Sequence, residues 1–189
     1  MPSFGNIVYG VYGAWRLARL DSGGMTYFDQ TVEGFWRSFF AAALVAPGYI
    51  ILVFADLAAH DSDAGVLRIL LVHVCAYILS WTVYPVAVHP ICAAINRQGA
   101  FIGFIVAFNW AKVIQMAAYL PVIAITTAEI LPGGTVAALN GFIYIVLLAY
   151  QWFVTRTALD IRPFAAVAFV GLDLLIGIII NAMALGMIR

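Results

Sequence analysis

Charge is scarce in this chain of 189 residues: only 10% of its side chains are Asp, Glu, Lys or Arg, and nine basic residues balance nine acidic ones. With no basic cluster and no aromatic platform interleaved with cations, nucleic acid is excluded as a partner. Cysteine is nearly absent. Cys75 and Cys92 fall on or just beyond one predicted helix, roughly 25 Å apart by helical rise, so they cannot bridge and no disulfide framework exists. There is no Asn-x-Ser/Thr acceptor. The first 34 residues hold no continuous apolar core with a small-residue cleavage site, so no removable leader is expected and the first crossing helix directs insertion.

Enzyme motifs are missing as well. There is no G-x-S-x-G, no nucleotide-binding glycine loop, no H-E-x-x-H and no C-x-x-C. Cys75 projects away from the side of its helix that carries His73, which argues against a Cys/His nucleophile. His73 and His89 lie on one helix roughly 24 Å apart, too far to be the two axial ligands of one haem. His60, Asp61 and Asp63 have the donor types for a divalent ion, but a solvated acidic loop is the expected reading. The expectation is therefore a non-enzyme with no metal and no cofactor.

What the chain has in excess is apolar surface: 65% of its residues are hydrophobic, and the mean hydropathy is +1.03. That composition belongs to a polytopic membrane protein. The spacing predicts an all-α fold, a five-helix transmembrane bundle over 35–189 with crossings near 36–55, 67–88, 101–121, 135–155 and 163–187. A cytoplasmic, interfacial N-terminal segment precedes it over 1–34, where Ile7 to Leu20 reads as a helix weakened by Gly10 and Gly13.

Two places within the spans need an argument. Ala46-Pro47-Gly48 falls inside the first crossing and predicts a proline kink or break. The run from Phe101 to Leu131, 31 residues, is too long for one upright crossing and too short for two. It predicts a helix bent or ended near Pro121, with Val122 to Leu131 at the surface.

Arginine placement sets the orientation. With the N-terminus in the cytoplasm, Arg16, Arg19, Arg37, Arg97, Arg156 and Arg162 gather on the inner side, leaving Arg68 and Arg189 outside with Asp56, Asp61, Asp63 and Glu129. This predicts a bacterial inner-membrane protein with its C-terminus outside.

Helical projection sorts the remaining polar residues into stripes. Asn109, Lys112, Gln115 and Tyr119 share one side of the third crossing. His73, Tyr77, Ser80 and Tyr84 share one side of the second, and Asn140, Tyr144 and Gln151 lie on the fourth. The first crossing has no comparable stripe and is expected to be peripheral. In the fifth, Asp173 lines up with Ala166, Gly177 and Ala184, small residues suited to a packing seam. Lys112 and Asp173 stand at one depth, roughly 15 Å into helices that run in the same direction. A charge at the bilayer centre needs a partner, so they are expected to form a buried ion pair.

These features predict a non-catalytic interaction partner, assembly factor or accessory subunit, in contact with lipid and with other membrane subunits or itself. The alternative is a small transporter or channel component built on Lys112 and Asp173, with Asn109, Gln115, His73, Tyr77, Asn140 and Tyr144 as a polar seam. The phrases Gly34-Phe35-Trp36-Arg37-Ser38-Phe39 and Phe108-Asn109-Trp110, with five crossings and a cytoplasmic N-terminal segment, resemble the bacterial branch of the Yip-domain membrane proteins. That resemblance implies a helical bundle engaged in membrane organisation or partner binding, and it transfers no site residues.

Overall fold

A computed structural model describes residues 3–59, 64–128 and 130–188. His60, Asp61, Asp63, Glu129 and Arg189, all expected on the outer side, lie outside the described residues. The described residues form seven helices: α1 (Phe4–Ala18), α2 (Val32–Ser38), α3 (Phe40–Ala59), α4 (Val66–Ala94), α5 (Phe101–Thr127), α6 (Gly133–Leu159) and α7 (Pro163–Ile188). Short 3₁₀ turns occupy Ser22–Tyr27 and Gln98–Ala100. Among the described residues, five stretches are long and apolar enough to cross a membrane: Val32–Leu57, Val66–Ala94, Gln98–Thr127, Gly133–Leu159 and Pro163–Ile188.

The prolines interrupt less than their positions suggest. α3 runs through Pro47 unbroken, and the first span is divided at Phe39 instead, between α2 and α3. α4 continues past Pro85 and Pro90 to Ala94, and α5 continues past Pro121 to Thr127 rather than ending there. In a membrane helix the groups freed by proline find new partners more cheaply than the helix could expose its backbone to lipid. Beyond Pro121, Thr126 and Thr127 donate to the Ile123 carbonyl at 3.1 and 2.8 Å, engaging a backbone acceptor near the helix end.

α5 is the axis of the bundle. Half of its apolar window is buried, against at most 22% for any other span, and Gly103 through Ala111 are buried without interruption. α2, α3 and α6 pack along it, while α7 bridges α4 and α6. An aromatic core fills the space between them. Tyr84 stacks on Phe108 at 4.5 Å between ring centroids, Phe104 meets Phe169 edge-on at 6.0 Å, and the Tyr84 hydroxyl donates to the Phe169 carbonyl at 3.2 Å.

The two glycines that weaken α1 as an isolated helix are what dock it. Gly10, Gly13, Ala14 and Leu17 form its buried face, and a Cβ at Gly10 would overlap the Trp110 indole. The Tyr150 hydroxyl donates to the Ala14 carbonyl at 2.9 Å. A latch closes the end of α1, where Arg16 and Asp21 pair at 2.5 Å. The Arg16 side-chain hydrogen bond, with help from the Gly23 N–H, holds the Asp21 carboxyl below the usual carboxylate range.

The turns at this N-terminal face are tied together. Asp160, in the left-handed region at φ 47°, presents its carbonyl to the Arg97 guanidinium at 2.6 Å, and its carboxylate lies 3.3 Å from the same nitrogen. This clasp joins the α4–α5 turn to the α6–α7 turn. At α2, Thr31 accepts the Gly34 N–H at 3.0 Å as an N-cap.

A Cβ at Gly34 would collide with the Asp29 backbone carbonyl. Backbone cannot swing aside as a side-chain tip can, so Gly34→Ala is expected to lower stability by about 1–3 kcal/mol. Thermal unfolding in detergent should show a clear fall in midpoint. Gly99→Ala, at a position where an added Cβ meets nothing within 4 Å, should behave as wild type; equal midpoints for both variants would refute the argument.

Candidate functional site

Lys112, the only lysine in the chain, lies about midway along α5, and Asp173 occupies the corresponding level of α7. Both line one cavity of about 380 Å³, together with Ser80, Tyr144, Gly177 and Asn181. They share this space without forming the expected ion pair. The Lys112 ammonium instead donates to the Ser80 carbonyl at 2.9 Å and lies 4.8 and 4.7 Å from the ring centroids of Trp81 and Phe108. α5 and α7 meet through side chains such as Phe104 and Phe169 and are not closely packed backbone to backbone. A lysine stem on α5 therefore meets α4 before it can reach across the cavity, and the two ring faces stabilise the cation there. Asp173 accepts no hydrogen bond from any described residue.

Two further cavities adjoin the first, with Ser80 in the wall of all three. One, of about 340 Å³, leads past Asn181 to Tyr49, His73 and Asp56 near the end of α3. The other, of about 350 Å³, lies between Lys112 and Gln115, with Tyr49, Tyr77 and Tyr119 in its wall. These adjoining spaces, mostly apolar but each with polar side chains in its wall, run from the middle of the bundle towards the face opposite the N-terminal segment. Within them the Tyr77 hydroxyl donates to the Ala42 carbonyl at 2.6 Å. The Tyr49 hydroxyl lies 3.3 Å from His73 Nδ1, while His73 Nε2 is buried with no hydrogen-bond partner among the described residues.

The polar stripe read on the third crossing fans out rather than facing one way. Three residues advance a helix by 300°, so each step along Asn109, Lys112 and Gln115 turns the side chain by about 60°. Asn109 is buried against α2, donating to Ser38 at 2.9 Å, with its own carbonyl oxygen unpartnered. Gln115 turns to α6 and donates to Gln151 at 3.0 Å. Asn140 bends back to the Val136 carbonyl of its own helix at 3.1 Å. Of the predicted seam, His73, Tyr77, Gln115 and Tyr144 reach cavity walls; Asn109 and Asn140 are not among the lining residues.

α3 is not peripheral. Ala41 and Val45 are buried in the core, while Tyr49 and Asp56 line the cavity. The signal was their separation of two full turns, which puts both on one face. Asn181 was missed in the same way: with Asp173 and Gly177 it repeats every four residues along α7. Ala166 and Ala184 are buried as a packing seam requires, but Gly177 opens onto the cavity, and a Cβ there meets nothing within 4 Å.

No protein-family model, no curated protein and no solved structure matches this chain.

Proposed function

We propose that this polytopic membrane protein carries out proton-linked transport through the cavity bounded by α3 to α7. In this reading Asp173 takes up and releases the proton and Lys112 is the fixed counter-charge. One observation carries the proposal: Lys112 and Asp173 line the same mid-bundle cavity without a direct ion pair between them, Lys112 donating instead to the Ser80 carbonyl. A charge at the centre of a membrane helix costs about 2.5–3.5 kcal/mol to insert. Lys112 offsets that cost with a carbonyl and two aromatic faces. Asp173 has no donor among its described neighbours, so whatever enters the cavity must supply one, whether a proton or the cationic group of a solute.

In this reading the N-terminus lies in the cytoplasm of a bacterial inner membrane; the support for that orientation is that Arg97, Arg156 and Arg162, near the ends of α4 and α6 and the start of α7, fall on the side of the N-terminal segment. The accessory-subunit reading, to which the Yip-domain likeness belongs, draws on α1. Its outer face exposes Phe4, Val8, Tyr12 and Trp15 and is open to lipid or to a partner helix.

Proton flux into proteoliposomes under an imposed potential, followed with an internal pH dye, tests the transport reading. Asp173→Asn is expected to reduce it by about tenfold or more, with thermal unfolding close to wild type. Equal flux in the two proteins sinks the proposal.

A further inference from the structure

The cavity of about 340 Å³ next to the Lys112/Asp173 space has proton-carrying side chains at successive depths. Asp56 is seven residues beyond Tyr49 on α3, two turns along one face, which sets it roughly 10 Å nearer the face opposite the N-terminal segment. Ser80 is seven residues beyond His73 on α4, roughly 10 Å nearer the middle of the bundle. Tyr49 and His73 meet between these two levels. Ser80, Gly177 and Asn181 wall both spaces, and no side chain stands against Gly177, where an added Cβ would meet no atom within 4 Å. The two spaces adjoin there without a packed layer between them.

The hydrogen bonds around His73 decide which of its nitrogens can exchange a proton. The Tyr49 hydroxyl lies 3.3 Å from Nδ1 and 3.4 Å from the His73 carbonyl oxygen. Both contacts are satisfied at once if the hydroxyl donates to the carbonyl and its oxygen accepts from Nδ1–H. Nε2 then carries the lone pair. It is buried with no hydrogen-bond partner among the described residues, and imidazole is the side chain that takes and gives a proton in the neutral range. His73 also borders a crevice between α3 and α4, walled by side chains such as Ile50, Phe54 and Leu70 that have no polar group to offer. A partner for Nε2 must therefore come from the cavity, which is large enough for several waters and has Asp56, Ser80 and Asn181 in its wall.

We propose that His73 is the relay by which Asp173 exchanges its proton with the face opposite the N-terminal segment. Its role depends on the transport reading of the central cavity and names the route by which that site is loaded. A proton arriving past Asp56 bonds to Nε2, and the imidazolium keeps its Nδ1–H on Tyr49. The Nε2–H bond then breaks. Water between Ser80 and Asn181 carries the proton to the Asp173 carboxylate, and His73 returns to its neutral form.

Proton flux into proteoliposomes, measured for wild type, Asp173→Asn and variants at His73, tests the relay. His73→Gln keeps a polar side chain of similar size that takes up no proton, so flux is expected to fall about tenfold or more while the unfolding midpoint stays close to wild type. His73→Ala should lose flux equally and regain it severalfold when free imidazole is added, because the free base enters the vacated space and carries the proton. No added base repairs a merely structural defect. Wild-type flux in His73→Gln overturns the relay, and so does imidazole that leaves folded His73→Ala inactive. If either occurs while Asp173→Asn still stops flux, the relay is wrong and the transport reading stands; if wild type itself carries no proton, the transport reading fails and the relay with it.

Discussion

Gly177→Leu is expected to abolish flux through the cavity while leaving the bundle as stable as wild type or slightly more so. Gly177 lies between Asp173 and Asn181 on α7 and walls two of the three adjoining cavities. An added Cβ there meets no atom within 4 Å, so a leucine side chain enters empty space rather than a packed neighbour. Glycine inside a helix costs about 1 kcal/mol relative to alanine, and the replacement removes that cost. Function and stability should therefore separate. The same substitution at Gly48 should instead destabilise the protein by about 1–3 kcal/mol, because a Cβ there would stand 2.6 Å from the Met116 sulfur on α5 and the Met116 side chain must shift to admit it. Flux in proteoliposomes and unfolding midpoints in detergent are the two measurements. Wild-type flux through Gly177→Leu would show that nothing passes along this wall.

Exchanging the two mid-bundle charges is expected to fail as a rescue. Were Lys112 and Asp173 in contact, the Lys112→Asp/Asp173→Lys double variant would recover the stability lost in each single one. In this structure Lys112 is held by the Ser80 carbonyl and the faces of Trp81 and Phe108. A carboxylate in that position meets another acceptor and two negative ring faces, so it loses every interaction the ammonium had. Lys112→Asp should cost several kcal/mol, at least the ~2.5–3.5 kcal/mol of an uncompensated charge at the helix centre. The second substitution should not return it. Lys112→Met should fold, because a thioether packs well against two aromatic rings, yet lose flux. The measurements are monodisperse yield after extraction and denaturation midpoint; a double variant restored to wild type would mean that the charges pair after all.

The spans were legible because apolar length is a strong signal and lipid is an unforgiving solvent. The common depth of Lys112 and Asp173 followed from the same counting, and both residues line one cavity. Direct contact could not be read from depth, which says nothing of the azimuth at which neighbouring helices stand. Asn109, Lys112 and Gln115 look like one stripe on a helical projection, yet they serve α2, α4 and α6 in turn. No break occurs at Pro47; what its position hid is that the neighbouring Gly48 admits α5 at close range, a packing fact with no local signature. Gly10 and Gly13 were likewise read for intrinsic helix propensity, when their use is to let Trp110 and the Ser22–Tyr27 turn approach α1.

The uninterrupted buried run from Gly103 to Ala111 occupies only the first part of α5; beyond Lys112 the same helix has exposed residues such as Ala117, Ala118 and Pro121. Cooperative opening is cheapest where few apolar contacts must be broken. Amide exchange should therefore be graded along the membrane normal, fast in the half that holds Asp56 and His73 and slow around the Arg97–Asp160 clasp. A molecule rigid in one leaflet and yielding in the other can vary the width of its cavity while its aromatic core and its docked first helix stay in place.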